Sequence, residues 1–311
     1  MSIIAILIIL FFDSIIQYYF EKNIFFQDVQ RHYDLKYVTS FFGDEKRLGS
    51  YVSRILPICI ALIIFLNNKF INKYRIKELI ILFSFILVIL STERMAFFNF
   101  FYFIFFYFFT LRKKKKIIFS FSIAVLLIST LNIFPNYLEK IYHSTISQIY
   151  EKESVIEQPV GLKWIKTSPK PLYLSRNHQN MIKTSYNIFK ENIFFGNGIK
   201  TFREECKKEK YKLEQRCSTH PHNTYLQLLS ETGLFSFLIV FFIFFFLLYE
   251  NLKIIFKKNL SSLDHSILIS NVSVMIPILP LVPSGSFYNN WISCLLFLSL
   301  TINIYLKKKL N

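Results

Sequence analysis

The chain has 311 residues, 53% of them hydrophobic and 18% aromatic, with 37 Phe against only 7 Gly and 9 Pro. Its charged fraction of 18% and mean hydropathy of +0.37 do not suit a soluble domain, and the charges gather in short basic clusters between apolar runs. That pattern excludes a soluble enzyme and a disordered chain, and a net charge of +17 interrupted by apolar runs cannot build a continuous nucleic-acid-binding face.

The hydropathy pattern predicts an all-α polytopic membrane protein with about eight transmembrane helices: Ile3–Phe20, Tyr51–Leu66, Glu78–Ser91, Met95–Leu111, Ile117–Phe134, Tyr225–Tyr249, Ser266–Val282 and Tyr288–Leu306. Each is long enough, or nearly so, to cross a hydrocarbon core of about 30 Å. The third is short, and the first carries Asp13 and Gln17. The first also lacks the basic leader and small-residue cleavage site of a signal peptide.

Four short connections are strongly basic: 69–77, with Lys69, Lys73, Arg75 and Lys77; Arg112 to Lys116; Lys253 to Lys258; and Lys307 to Lys309. Alternation of eight spans puts all four on one side, which the positive-inside bias makes cytoplasmic, together with both termini. The outer side receives residues 21–50 and a long loop from about Pro135 to Asn223. The expected organisation is therefore five spans and an outer loop in 1–134, an outer loop domain in 135–224, and three spans in 225–311. A loop this long far exceeds an ordinary connection, which favours a functional segment.

The most informative segment is Cys217-Ser-Thr-His-Pro-His-Asn-Thr-Tyr-Leu-Gln-Leu-Leu-Ser-Glu-Thr-Gly233. Ser218 or Thr219 is placed to cap a helix whose first turn holds Pro221, where a missing N–H costs nothing. His222 would then sit near the positive end of the helix dipole, which favours the neutral imidazole and suits a general base. Asn223, Gln227 and Glu231 follow at spacing four and share a helix face. A bland reading competes: the polar stripe marks a helix that projects above the bilayer. Cys206, Cys217, His220 and His222 are also zinc-type donors, but their spacing matches no common zinc pattern. A Cys206–Cys217 disulfide, on a side expected to be oxidising, is the better reading; Cys59 and Cys294 fall inside spans.

Arginine is the second theme. Arg94 lies in the tight turn between the third and fourth spans, Arg47 and Arg54 flank the second, and Arg176 and Arg203 lie in the long loop. Guanidinium groups converging at one membrane face would hold a pyrophosphate; the alternative is that Arg94 and Arg54 only snorkel to headgroups.

His222-Asn223, followed after nine residues by Gly233 and then by Ser236, resembles the His-Asn motif of the O-antigen ligase and polymerase superfamily. Ser236 is a conservative departure from the Gly, Thr or Val usual there. In the family's order, Asp13 to Gln17 with Phe41 to Tyr51, Ser91-Thr-Glu-Arg-Met-Ala96, and Phe195-Gly-Asn-Gly-Ile-Lys-Thr-Phe202 resemble further elements. The family's Arg ahead of the outer loop is absent, leaving Lys36 or, further along, Arg47. Relatives carry more N-terminal helices, so the resemblance implies a chain short at that end.

The resemblance implies a bacterial inner-membrane glycosyltransferase of lipopolysaccharide or other surface polysaccharide biosynthesis, without metal or cofactor. Its partners would be membrane lipid, an undecaprenyl-pyrophosphate-linked glycan, and an acceptor hydroxyl on lipid A core or a second lipid-linked glycan, on the periplasmic side. It makes His222 the catalytic histidine and Arg94 a pyrophosphate ligand, with Arg176 as the loop arginine. Arg47 and Lys36 are further candidates for the pyrophosphate, and Asn223, Glu231 and His220 for support. A polymerase of the same superfamily is the first alternative. A flippase of lipid-linked sugars is the second, since Pro277, Pro280 and Pro283 suggest a broken helix.

Overall fold

The computed structural model describes residues 2–32, 35–67, 74–111, 113–133, 176–211 and 217–309. Residues 134–175, which make up the first half of the expected loop domain, and most of the basic 69–77 connection lie outside them. Among the described residues the chain is mostly helical: α1 Ser2–Phe20, α2 Leu48–Leu66, α3 Ile76–Ser91, α4 Arg94–Phe109, α5 Lys113–Ile133, α6 Arg176–Phe189, α7 Phe202–Glu205, α8 Thr224–Ile255, α9 Ser262–Met275 and α10 Asn290–Lys308. Four of these, α1, α2, α8 and α10, are long and apolar enough to cross a membrane, and α4 and α9 are shorter apolar helices.

The expectation of an all-α chain needs one correction. Strands β1 (Gln30–His32) and β2 (Leu35–Tyr37) form an antiparallel hairpin with Arg31 opposite Lys36. Two cations facing each other across a hairpin repel, and Glu21 offsets this by pairing with Arg31 at 2.9 Å and Lys36 at 2.5 Å. Those contacts hold the Glu21 carboxyl below its ordinary pKa, the Lys36 hydrogen bond contributing most.

The chain divides into two compact units. One comprises Met1–Phe119, Asn223–Tyr225 and Ser236–Asn311, and the other Ser120–His222 and Leu226–Phe235. In the first unit α2 is central and packs on α9, α3 and α4, while α10 packs on α9 and α1 on α3. The polar residues of α1 explain themselves in its loop contacts. The Gln17 side-chain oxygen accepts the Thr39 and Ser40 N–H groups at 3.0 and 2.7 Å, and Asp13 accepts the Ile24 N–H at 3.0 Å and the Ser40 hydroxyl at 2.5 Å. Both side chains are buried and serve to anchor the 21–42 loop.

In the second unit, Ile188, Phe202, Cys206 and Tyr211 form a small core with Met181 packed against it. Gly233 interrupts α8 with φ +75°. The break leaves backbone groups on both sides of it without their usual helical partners, and a loop supplies partners of both kinds. Asn197 N–H bonds to Ser230 O at 3.2 Å, Gly198 N–H to Glu231 O at 2.8 Å, and Leu234 N–H to Ile193 O at 2.8 Å. A Cβ on Gly196 would lie 2.4 Å from the Glu231 carbonyl carbon, and one on Gly233 would lie 2.3 Å from Phe194 O, so both close approaches require glycine.

Candidate active site

The Ser91–Ala96 turn docks on the N-terminus of α2. A Cβ at Gly49 would meet Ser91 Oγ at 2.2 Å and Ala96 Cβ at 2.8 Å, so these three small residues make one close contact. Glu93 then reaches the first turn of α2 and accepts the Gly49 N–H at 2.7 Å, the Ser50 N–H at 3.1 Å and the Ser50 hydroxyl. It acts as an N-cap supplied from another helix, satisfying donors that α2 cannot satisfy itself. Burial raises the Glu93 carboxyl above its ordinary pKa, while these hydrogen bonds and the charge of Arg54 oppose the shift.

Thr92 takes φ +54°, which β-branched residues rarely adopt, and the turn delivers Arg94 as the first residue of α4, with solvent access. Lys46 stands nearby with its ammonium 3.9 Å over the Tyr37 ring. Partial desolvation lowers its pKa; Glu93 counteracts the shift and Arg94 adds to it, so the three charges share one electrostatic field. Deeper in α2, Arg54 is 6% exposed, with Nη1 donating to Ser50 O at 2.8 Å and its guanidinium 5.4 Å from the Trp291 ring.

The other candidate cations are placed differently. Arg47 pairs with Glu45, and Lys36 with Glu21. Arg176 opens α6, and its side chain lies outside the described residues. Sequence reasoning passed over Lys46 as a site residue and treated Arg54 as a flanking cation. The signal for Lys46 was its place three residues before Gly49, at the start of the helix that the Arg94 turn docks on.

His222 does not lie in the first turn of a helix capped by Ser218 or Thr219. It precedes α8 in the left-handed conformation, φ +54°, and Asn223 caps the helix, its side-chain oxygen accepting the Tyr225 N–H at 3.0 Å. Tertiary bonds decide this start: Asn223 Nδ2 donates to Val282 O at 3.1 Å, Tyr225 Oη to Ile278 O at 2.9 Å, and Thr224 Oγ1 lies 3.0 Å from Ser284 Oγ. A histidine tolerates positive φ better than most residues, and such strain concentrates at functional sites.

The His222 ring keeps a solvent-accessible face. Protein packed around the rest of it lowers its pKa below the ordinary histidine value, through desolvation rather than the helix dipole. Its Nε2 is 3.1 Å from Ser218 Oγ, and its ring centroid is 4.2 Å from that of His220 and 6.3 Å from that of His178. His178, on α6, was not singled out from sequence, since only the fold brings it to residue 222.

Cys206 and Cys217 are joined, with Cα atoms 5.7 Å apart. Among the described residues no group of three or more His, Cys, Asp or Glu side chains is arranged to hold a metal ion. Glu231 is buried; its carboxylate accepts the Phe202 N–H at 3.1 Å and Gln227 Nε2 at 3.0 Å, and so supports the loop that precedes Cys206.

These features define a helical membrane protein with a cluster of cations near the N-terminus of α2 and a partly desolvated histidine just ahead of a long apolar helix. A family model described as O-antigen ligase matches residues 79–241, which include Arg94, the 193–202 loop, His222 and Gly233. The match covers just over half of the 311 residues, and the chain belongs to the O-antigen ligase family. Comparison with curated proteins and with solved structures gave no match. Membership gives the chain a ligase-like or polymerase-like role in polysaccharide biosynthesis, with a lipid-linked glycan and an acceptor as partners in general terms.

Proposed function

We propose that the chain transfers a glycan from an undecaprenyl-pyrophosphate donor to an acceptor hydroxyl on the periplasmic face of the bacterial inner membrane. The observation that carries this reading is His222, strained, partly desolvated and set just ahead of α8. A neutral imidazole takes the proton from the acceptor hydroxyl as it attacks the anomeric carbon. Arg94 stabilises the charge that develops on the departing pyrophosphate, a leaving group that needs no protonation. In-line attack inverts the anomeric centre. No step in this account calls on a metal.

The distribution of charge supports the orientation. In the first unit Lys77, Lys257, Lys258 and Lys307 lie at the end of the bundle where Ser262 bonds to Ile64 O at 2.9 Å and Phe65 meets Tyr305 edge to face. Arg54, Trp291 and Arg94 lie at the other end, which we assign to the periplasm. The reading keeps eight spans, with α3, α4, α5 and α9 joining α1, α2, α8 and α10, and a loop domain between α5 and α8.

The test is transfer in reconstituted membranes. Replacing His222 with Ala is expected to lower the rate by about 10²–10⁴-fold, the usual contribution of a positioned base, while membrane insertion is retained. Wild-type product from that variant would refute the assignment. The product itself separates ligase from polymerase: a glycan on lipid A core in the first case, a lengthened lipid-linked glycan in the second.

A further inference from the structure

Arg54 is a buried charge whose hydrogen-bonding shell is incomplete. It lies six residues beyond Leu48, about 9 Å along α2 at 1.5 Å per residue. The residue is 6% exposed, its Nη1 donates to the Ser50 carbonyl of its own helix, and its Nε–H is buried with no acceptor. A guanidinium carries five N–H donors, and Trp291 offers only a ring face. Glu93 senses the charge, but its carboxylate is engaged by Gly49 and Ser50. A buried cation with no carboxylate hydrogen-bonded to it is costly, and removing such a charge is often neutral or stabilising. An anionic ligand bound at this point would complete the shell.

The surroundings fit a lipid-borne anion. Arg94 opens α4, Lys46 lies just ahead of α2 within its electrostatic reach, and Arg54 lies further along α2. Trp291 lies against the guanidinium, and the chain just ahead of it is tied to the start of α8, Val282 O accepting from Asn223 and Ser284 meeting Thr224. The geometry points to Arg54 as a phosphate ligand for the lipid-linked diphosphate, taking the phosphate nearer the polyprenyl tail while Arg94 and Lys46 face the phosphate nearer the sugar. This inference rests on the transferase reading and adds to it a deep phosphate contact on α2.

Binding is measured on the purified full chain in phosphatidylcholine nanodiscs by native mass spectrometry. The probes are undecaprenyl diphosphate, undecaprenyl monophosphate, uncharged undecaprenol and phosphatidylglycerol. Arg54→Met is expected to weaken both polyprenyl phosphates at least about tenfold and to leave undecaprenol unchanged. Its melting temperature is expected to be equal to or above that of the wild type, because a buried charge with an unmet N–H has gone. Arg54→Lys, which keeps the charge, should fall between the two and serves if the Met variant does not fold. Equal phosphate affinity in wild type and Arg54→Met, or in wild type and Arg54→Lys if only that variant folds, would overturn the proposal. So would phosphatidylglycerol binding as tightly and with the same dependence on Arg54, which would make this a headgroup site. If Arg54 proves dispensable while His222→Ala is inactive, the transferase reading stands without this contact. If the wild type itself ignores both polyprenyl phosphates, the transferase reading fails with it.

Discussion

Two polar regions lie in the apolar interior of the first unit, and they are built on opposite principles. Near the C-terminal ends of α8 and α10, Asn303 Nδ2 donates to Asn271 Oδ1 at 2.7 Å and to Ser270 Oγ at 2.8 Å, and Asn271 Nδ2 donates to Asn251 Oδ1 at 2.9 Å. Lys307 pairs with Glu250 beside them, and Lys257 pairs with Asp264 at 2.9 Å. The amides bond to one another and three helices are tied together. Near the N-terminus of α2, by contrast, Arg54 keeps a buried Nε–H without an acceptor. A completed network in a low-dielectric interior clamps structure, whereas an incomplete one costs stability and leaves room for a ligand.

The contrast can be broken at either end. Between these two regions the largest effect is expected for Glu93→Ala, which strips the cap from α2 and removes the anchor of the Arg94 turn; transfer should fall by about 10²-fold, since small misplacements of a binding group are costly. Glu93→Gln keeps one acceptor oxygen and should retain part of the activity. Initial rates measured beside melting curves decide the matter, and a Glu93→Ala protein of normal rate would show that Arg94 needs no such footing.

At the opposite end, Asn271→Leu leaves Asn251 and Asn303 with unmet groups and should cost about 1–3 kcal/mol of stability. The rate per folded molecule should not change; a matching loss of rate would erase the distinction between the two regions.

The smallest effect concerns pH. Desolvation lowers the His222 pKa, so the neutral base persists into more acidic solution than for an ordinary histidine of pKa about 6.5. At pH 6.5 the rate should therefore keep more than about half its value at pH 8, falling tenfold per unit only below the depressed pKa. A midpoint above pH 6.5 would contradict the desolvated ring.

The helices were legible because apolar runs of bilayer length have few alternatives, and Arg94 and His222 stood out as polar groups at the margins of such runs. What escaped was decided by contacts between distant segments. Ser218, Thr219 and Asn223 all qualify locally as caps, and the bonds from Asn223 to Val282 and from Tyr225 to Ile278 select the last. The capping role of Glu93 joins residues more than forty positions apart. The hairpin at 30–37 has strands of three residues, too short for alternation to register. Asp13 and Gln17 looked like flaws in a span until the loop backbone that they hold came into view.

The interlocked backbone at Gly233 bears on how the second unit can be handled in isolation. Its compact body includes Leu226–Phe235, and the 193–198 loop closes its hydrogen bonds on that stretch. A secreted fragment cut just ahead of Thr224 would shed the helical stretch on which its own turn closes and expose the bare amides of Asn197 and Gly198. One carried through Phe235 would retain them, at the cost of an apolar tail that asks for detergent.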